Sequence, residues 1–162
     1  ISSLLDYSKI GFSEVEMESI DLTHLVKKIL KSLEQNTKEN NALITLNELP
    51  VVKGNIVLLE QLFYNIIENA LKYNDKKAPK ISITFIESIQ IIEIKDNGIG
   101  IQKNKIQDVF KAFSRVHSAS KYEGSGIGLA TCKKVMDIHS GTISVRSELG
   151  KGSCFSLVFP II

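Results

Sequence analysis

Apolar residues recur at Ile56, Leu59, Leu62, Phe63, Ile66, Ile67, Ala70 and Leu71. That is the spacing of a helix with one broad buried face. Asn55 stands where a helix cap belongs. A stripe this wide needs a second layer to cover it, and segments that alternate apolar and polar residues supply one. At about 100° per residue, Gln61, Asn65, Glu68, Asn69 and Lys72 fall on the opposite side of the same helix. Polar residues there are expected of any surface helix. Two asparagines four apart are less expected, because Asn is a mediocre helix former.

Leu43 to Leu49 alternates and reads as a strand. Lys80 to Glu87 and Gln90 to Asp96 read as a hairpin joined near Ser88. Thr142 to Ser147 and Ser153 to Phe159 read as a second hairpin around Glu148 to Gly152. Glu14 to Ile20 alternates weakly, a short strand. Asp21 caps a helix with Leu22, Leu25, Val26, Ile29, Leu30 and Leu33 on its apolar face, running to about Asn40. Pro50 and Gly54 mark a loop. Lys103 to Phe110 reads as a short helix inside a polar, mobile stretch from Ile101 to Glu123. The next helix stops at Gly141. Ile1, Leu4, Leu5 and Tyr7 have helical spacing without a preceding cap, the tail of a longer helix ended by Gly11. Ile in place of Met at position 1 points to a fragment. The order of elements argues for an α+β fold, a two-layer sandwich with helices on one face of a mixed, mostly antiparallel sheet.

The 162 residues suit one domain, and 43% hydrophobic with 23% charged residues excludes a disordered chain. Twenty basic against eighteen acidic residues leave +2, which offers no ground for a nucleic-acid or anionic-membrane partner. The longest stretch without Asp, Glu, Lys or Arg is Gly152 to Ile162, eleven residues, about half of what a membrane-spanning helix needs. Cys132 and Cys154 form no CxxC pair and the three histidines are scattered, so zinc is not expected.

Two glycine-rich segments carry chemistry. Asp96-Asn-Gly-Ile-Gly100 ends a strand with a carboxylate followed by residues that let a ligand approach the backbone. Such a carboxylate could accept an N–H from a base such as adenine. A plain turn favours the same residues and explains this segment alone equally well. Gly124-Ser-Gly-Ile-Gly128-Leu129 precedes an amphipathic helix, whose N-terminal N–H groups suit phosphates. It is neither a P-loop nor GxGxxG after a strand, and a flexible hinge would use the same residues. Asn65 and Asn69 are hard oxygen ligands for Mg²⁺, with Lys72 beside them to neutralise phosphate.

Together these pieces resemble the ATP-binding domain of sensor histidine kinases, within the gyrase, heat-shock-chaperone and mismatch-repair ATPase superfamily. Gln61 to Tyr73 looks like the family's N box, and Asp96 to Gly100 like its G1 box. Val109-Phe110-Lys-Ala-Phe113-Ser-Arg115 looks like the F box, and Gly124 to Leu129 like the G2 box. His139-Ser-Gly-Thr-Ile and Ser147 to Phe155 follow the closing hairpin. The resemblance runs from about Asp21 to Pro160. Leu4 to Gly11 resembles the end of the second helix of the dimerisation domain, so residues 1–11 are expected to be its remnant and 12–162 the catalytic domain.

The resemblance implies an ATP and Mg²⁺ site under a mobile ATP lid. Asp96 would bind the adenine amine and Tyr73 border the base. Gly98 and Gly100 would let nucleotide lie against backbone. Asn69, with Asn65, would hold Mg²⁺. Lys72 and Arg115 would contact phosphates, Arg115 reaching the terminal one from the lid. Ile101, Phe113, Gly124, Ser125, Gly126, Ile127, Gly128 and Leu129 complete the expected contacts. Asn65 and Arg115 are the expected catalytic residues. The superfamily's hydrolases carry Glu four residues before the Mg-binding Asn. Asn65 stands there instead, and an amide cannot take a proton at neutral pH. Glu68 is a poor substitute. The motif is thus that of a kinase, a protein-histidine kinase that passes the γ-phosphoryl of ATP to a histidine on its own dimerisation domain. That histidine would lie upstream, since His24, His117 and His139 lack the motif, and a response-regulator receiver would follow in a two-component system. The resemblance further implies a cytoplasmic fragment, with or without a membrane-spanning parent, and a homodimeric full-length protein. A serine/threonine anti-sigma-factor kinase and a nucleotide-binding regulatory module without transfer activity are the alternatives. The helix at Ile1 to Ile10 speaks against the first, the intact motifs against the second.

Overall fold

The computed structural model describes residues 2–10, 15–114, 122 and 124–160. Its helices are α1 (Ser2–Lys9), α2 (Leu22–Ser32), α3 (Glu34–Glu39), α4 (Ile56–Lys72) and α5 (Gly128–Ile138). Its strands are β1 (Glu18–Asp21), β2 (Leu43–Leu46), β3 (Val51–Gly54), β4 (Lys80–Ile86), β5 (Ile91–Asp96), β6 (Thr142–Glu148) and β7 (Gly152–Val158). Five strands form one sheet in the order β2-β4-β5-β7-β6, parallel only between β2 and β4. β1 and β3 form a separate antiparallel pair.

Strand alternation builds the inner face of the sheet. Register places Ile83 beside Ile94, Ile94 beside Phe155 and Phe155 beside Val145. The next row runs Phe85, Ile92, Leu157, Ile143. Leu59, Leu62, Phe63, Ile66 and Ile67 of α4 pack with these rows, joined by Leu22, Val26 and Ile29 of α2 and Cys132, Val135 and Met136 of α5. This is the expected two-layer sandwich. The caps are as expected too: Asp21 Oδ1 accepts the His24 N–H at 3.0 Å and Asn55 Oδ1 the Leu58 N–H at 3.1 Å.

Several local expectations need correction. The helix entered at Asp21 does not run unbroken to Asn40. It breaks at Leu33, the last residue with an apolar face to bury, and α3 beyond it buries none. Val51–Gly54 is not a loop but an edge strand, whose order Val-Val-Lys-Gly hides the alternation, with Val52 buried. The first hairpin does turn near Ser88 as expected, through a 3₁₀ segment, Glu87–Ile89, with Gln90 left-handed at φ 55°. Lys103–Asp108 is likewise 3₁₀ rather than α. The last helix is closed by Ser140, which takes the positive φ of 53°. Gly141 serves close approach instead: a Cβ there would lie 2.5 Å from the Val158 carbonyl oxygen.

The α1 segment lies against α5. Lys134 Nζ donates to the Tyr7 carbonyl at 3.0 Å and sits 4.8 Å from the centre of its ring. Ile10 is buried. Gly11, expected to end this helix, lies outside the described residues, as do Arg115, His117, Lys121 and Glu123. No helix among the described residues is long and apolar enough to cross a membrane.

Candidate functional site

A cavity of about 320 Å³ opens between α4, the end of β5, the start of α5 and β7. The polar side of α4 forms one wall with Gln61, Asn65, Glu68, Asn69 and Lys72. Their spacing by three and four residues puts them on one face, the reverse of the face that α4 turns to the sheet. Tyr73, the C-cap of α4, continues that wall. Ile99, Ile101, Val109, Ile127 and Phe155 make the apolar part of the lining. Val109 and Ile127 are almost wholly buried, and the Phe110 ring meets Phe155 edge-on at 6.4 Å.

Asp96 is the carboxylate of this cavity on the sheet side. Its Oδ1 accepts the Gly98 N–H at 2.8 Å and the Ser153 N–H at 3.2 Å. One oxygen is thus fixed by the protein, and the other, Oδ2, has no donor among the described residues. Burial pushes the Asp96 carboxyl above the ordinary carboxylate range, and the N–H groups of Gly98 and Ser153 draw it part of the way back. Asn97 serves the turn: its Oδ1 accepts from Lys80 N–H at 2.8 Å and from Asn74 Nδ2 at 3.0 Å.

On the other side, Asn65 Nδ2 donates to the Gly128 carbonyl at 3.3 Å and so ties α4 to the first residue of α5. Asn69 and Glu68, an amide and a carboxylate, also line the cavity. Lys72 Nζ lies 5.4 Å from the Tyr73 ring centre. No side chain caps the N-terminus of α5, so its first N–H groups are open to an anion. An apolar slot with a carboxylate on one side, and an ammonium, amides and a helix N-terminus on another, suits a flat heteroaromatic amine with an anionic tail.

The expected residues Asn65, Asn69, Lys72, Tyr73, Asp96, Gly100, Ile101 and Gly124 to Leu129 all line this cavity. Three do not join them. Arg115 is outside the described residues. Phe113 does not line the cavity: the residue is 64% exposed, on a left-handed backbone at φ 62°, and its N–H donates to Gly126 O at 3.0 Å. Gly98 does not line it either. A Cβ there would lie 2.3 Å from the Tyr73 carbonyl oxygen, so the protein's own backbone takes the space. Gly100 is similar, with φ 69° and a Cβ position 2.0 Å from Glu148 O.

Sequence reasoning missed Ser153, Phe155, Val109, Ser114, Thr131, Ile99 and Tyr122, all of them lining residues. Ser153 acts through its N–H, which no side-chain pattern announces. Tyr122 did have a signal, an aromatic two residues ahead of the Gly124 loop. Its ring meets Tyr73 edge-on, 5.1 Å between centres.

The family model described as histidine kinase-, DNA gyrase B-, and HSP90-like ATPase matches residues 54–162. The chain is 36% identical over 163 residues to cyanobacterial phytochrome A of Nostoc sp., across 99% of this chain and 21% of that protein. It thus spans about a fifth of the length of that relative. Full-length ShkA in complex with AMPPNP matches with a TM-score of 0.77 at 20% identity, over 99% of this chain and 36% of that one. The nucleotide-free catalytic domain of histidine kinase ThkA matches at 0.76 and 22% identity, over 90% of this chain and 98% of that one. At such identities these two likenesses bear on the fold.

Proposed function

The chain belongs to the histidine kinase-, DNA gyrase B-, and HSP90-like ATPase family, and from that premise we propose that it binds Mg-ATP and donates the γ-phosphoryl to a histidine of a dimerisation domain. The observation that carries this reading is Asp96, a half-buried carboxylate with one oxygen held by two backbone N–H groups and the other without a donor among the described residues. Adenine presents an amine, and an ionised carboxylate oxygen is its natural acceptor. Apolar side chains flank the ring. Lys72 and the open N-terminus of α5 meet the phosphates.

Mg²⁺ fits the donors present. Asn69 presents an amide oxygen and Glu68 a carboxylate from the same helix face, both hard ligands. No group of three or more His, Cys, Asp or Glu able to hold a metal occurs among the described residues. Mg²⁺ commonly takes one or two protein ligands and completes its shell with phosphate oxygens and water. Bound there, it would neutralise phosphate charge. Asn65 would contribute by holding α5 in place rather than as a base.

In the transfer itself the bond from the γ-phosphorus to the β-γ bridging oxygen breaks, a bond to an imidazole nitrogen forms, ADP leaves and the imidazole gives up a proton. Residues 1–11 read as the end of the helix that carries this chain against the acceptor domain, and a receiver domain would take the phosphoryl onward. The experiment is incubation with γ-labelled ATP and Mg²⁺. Alone, the chain should remain unlabelled and release little phosphate. A purified dimerisation domain added at high concentration should acquire acid-labile label. Stoichiometric labelling of this chain by itself, on His24, His117 or His139, would refute the division of labour.

A further inference from the structure

We infer that Tyr122 is a positioning residue for nucleotide retention: its ring edge on Tyr73 pins the entry of the Gly124 loop beside Lys72. The inference rests on the nucleotide-binding reading above and concerns a residue outside the motifs that support it.

Tyr73 is a fixed platform. Its N–H donates to Asn69 O at 2.9 Å and its carbonyl accepts the Ile99 N–H at 3.0 Å. The Lys72 ammonium lies 5.4 Å from its ring centre. Tyr122 meets that ring with centres 5.1 Å apart and planes at 62°, inside the range where edge-to-face aromatic pairs attract. Two residues later the backbone comes down on the same platform. A Cβ on Gly124 would lie 3.3 Å from Tyr73 Oη and 3.4 Å from Lys72 Nζ. Further along, the loop is tied by Phe113 N–H to Gly126 O at 3.0 Å and by Asn65 Nδ2 to Gly128 O at 3.3 Å. The Tyr122 contact is a tie on the side nearer the loop's entry. Both tyrosines line the cavity. A loop released at Tyr122 would swing away from Lys72 and open the anionic side of the cavity, while Asp96 and the apolar slot stayed as they are. Loss of the pair should therefore speed departure of nucleotide more than it slows entry.

The test is stopped-flow displacement of a ribose-labelled ADP, with Mg²⁺, from wild type, Tyr122→Phe and Tyr122→Leu, with thermal unfolding of each. An edge-to-face pair of this kind corresponds to roughly 2- to 12-fold in an equilibrium or rate constant. Tyr122→Leu should raise the dissociation rate by that factor, with the association rate within twofold and the melting temperature close to wild type. Tyr122→Phe keeps the ring edge and should lie nearer wild type than Tyr122→Leu. A Tyr122→Leu dissociation rate equal to wild type would overturn the inference. So would Tyr122→Phe behaving like Tyr122→Leu, since the phenol oxygen rather than the ring edge would then be responsible. Wild type that takes up no labelled ADP would overturn the nucleotide reading, and the inference with it.

Discussion

Replacing Asp96 with Asn should weaken nucleotide binding and, in the same protein, strengthen the fold. The side chain is half-buried and its Oδ1 accepts two backbone N–H groups, at 2.8 and 3.2 Å. An amide oxygen can keep both bonds. What changes is the second atom, an acceptor in Asp and a donor in Asn, which would face the adenine amine donor to donor. A hydrogen bond to a charged group contributes about 1.5–3 kcal/mol, so affinity for Mg-ATP should fall roughly 10- to 100-fold. Stability moves the other way. Burial raises the carboxyl of folded Asp96 above its ordinary value, so the fold favours the protonated form. That contribution is fully present below the unfolded pKa and is lost as pH rises through the folded pKa. At pH 7 the wild type therefore carries a desolvated charge that Asp96→Asn lacks. The variant should melt higher at pH 7, each kcal/mol gained registering as about 2–4 °C in a domain of this size. The gap should close in acid, where the wild type protonates. Titration calorimetry and thermal scans from pH 3 to 8 measure both effects. Equal ATP affinity would refute the acceptor role of Asp96, and a lower melting temperature at pH 7 would refute the desolvation argument.

Arg115→Ala should change ATP affinity less than about tenfold while phosphoryl transfer to a dimerisation domain in trans falls much further, because a guanidinium at the γ-phosphate acts mainly on the rate; equal loss of ADP and ATP binding would make it a general binding residue instead. Gly100→Ala should lower the melting temperature by several degrees, since the left-handed backbone alone costs an L residue about 1–2 kcal/mol and its Cβ would meet Glu148 O at 2.0 Å; a melting temperature unchanged in the variant would show that the Glu148 turn yields freely. Cys132, wholly buried and with its thiol pushed up to about 12 by that burial, should resist alkylation at pH 8 until the chain unfolds, and rapid labelling of native protein at Cys132, read by peptide mass, would contradict its place in the core.

The layer architecture was legible because it depends on periodicities that survive in the residue order. α4 is the clearest case: one helical period sorted its apolar residues onto the sheet and Gln61, Asn65, Glu68, Asn69 and Lys72 onto the cavity. Short elements whose residue order hides their alternation were not legible. β3 has four residues, of which two are buried, and a flanking Pro and Gly said loop as plainly as edge strand. The break at Leu33 was hidden for a related reason. Polar residues follow it without any helix breaker, and it is the lack of anything to bury in Glu34–Glu39 that lets α3 turn away.

At the site, side-chain chemistry was readable and backbone chemistry was not. Asp96, Asn69 and Lys72 announce themselves by type and spacing, but the Ser153 N–H that fixes Asp96 comes from β7, 57 residues further on. The glycines show the limit most clearly. Gly98 and Gly100 look like openings for a ligand, yet the Cβ space of each is filled by a carbonyl of the protein, Tyr73 O in one case and Glu148 O in the other. Their smallness lets the end of β5 be pressed between the end of α4 and the β6–β7 turn. That compression brings Asp96 level with Ser153 and places Tyr73 next to Ile99. These two glycines therefore shape the site from behind: a larger side chain at either would displace the acceptor carboxylate and the Tyr73 platform together before it ever met a nucleotide.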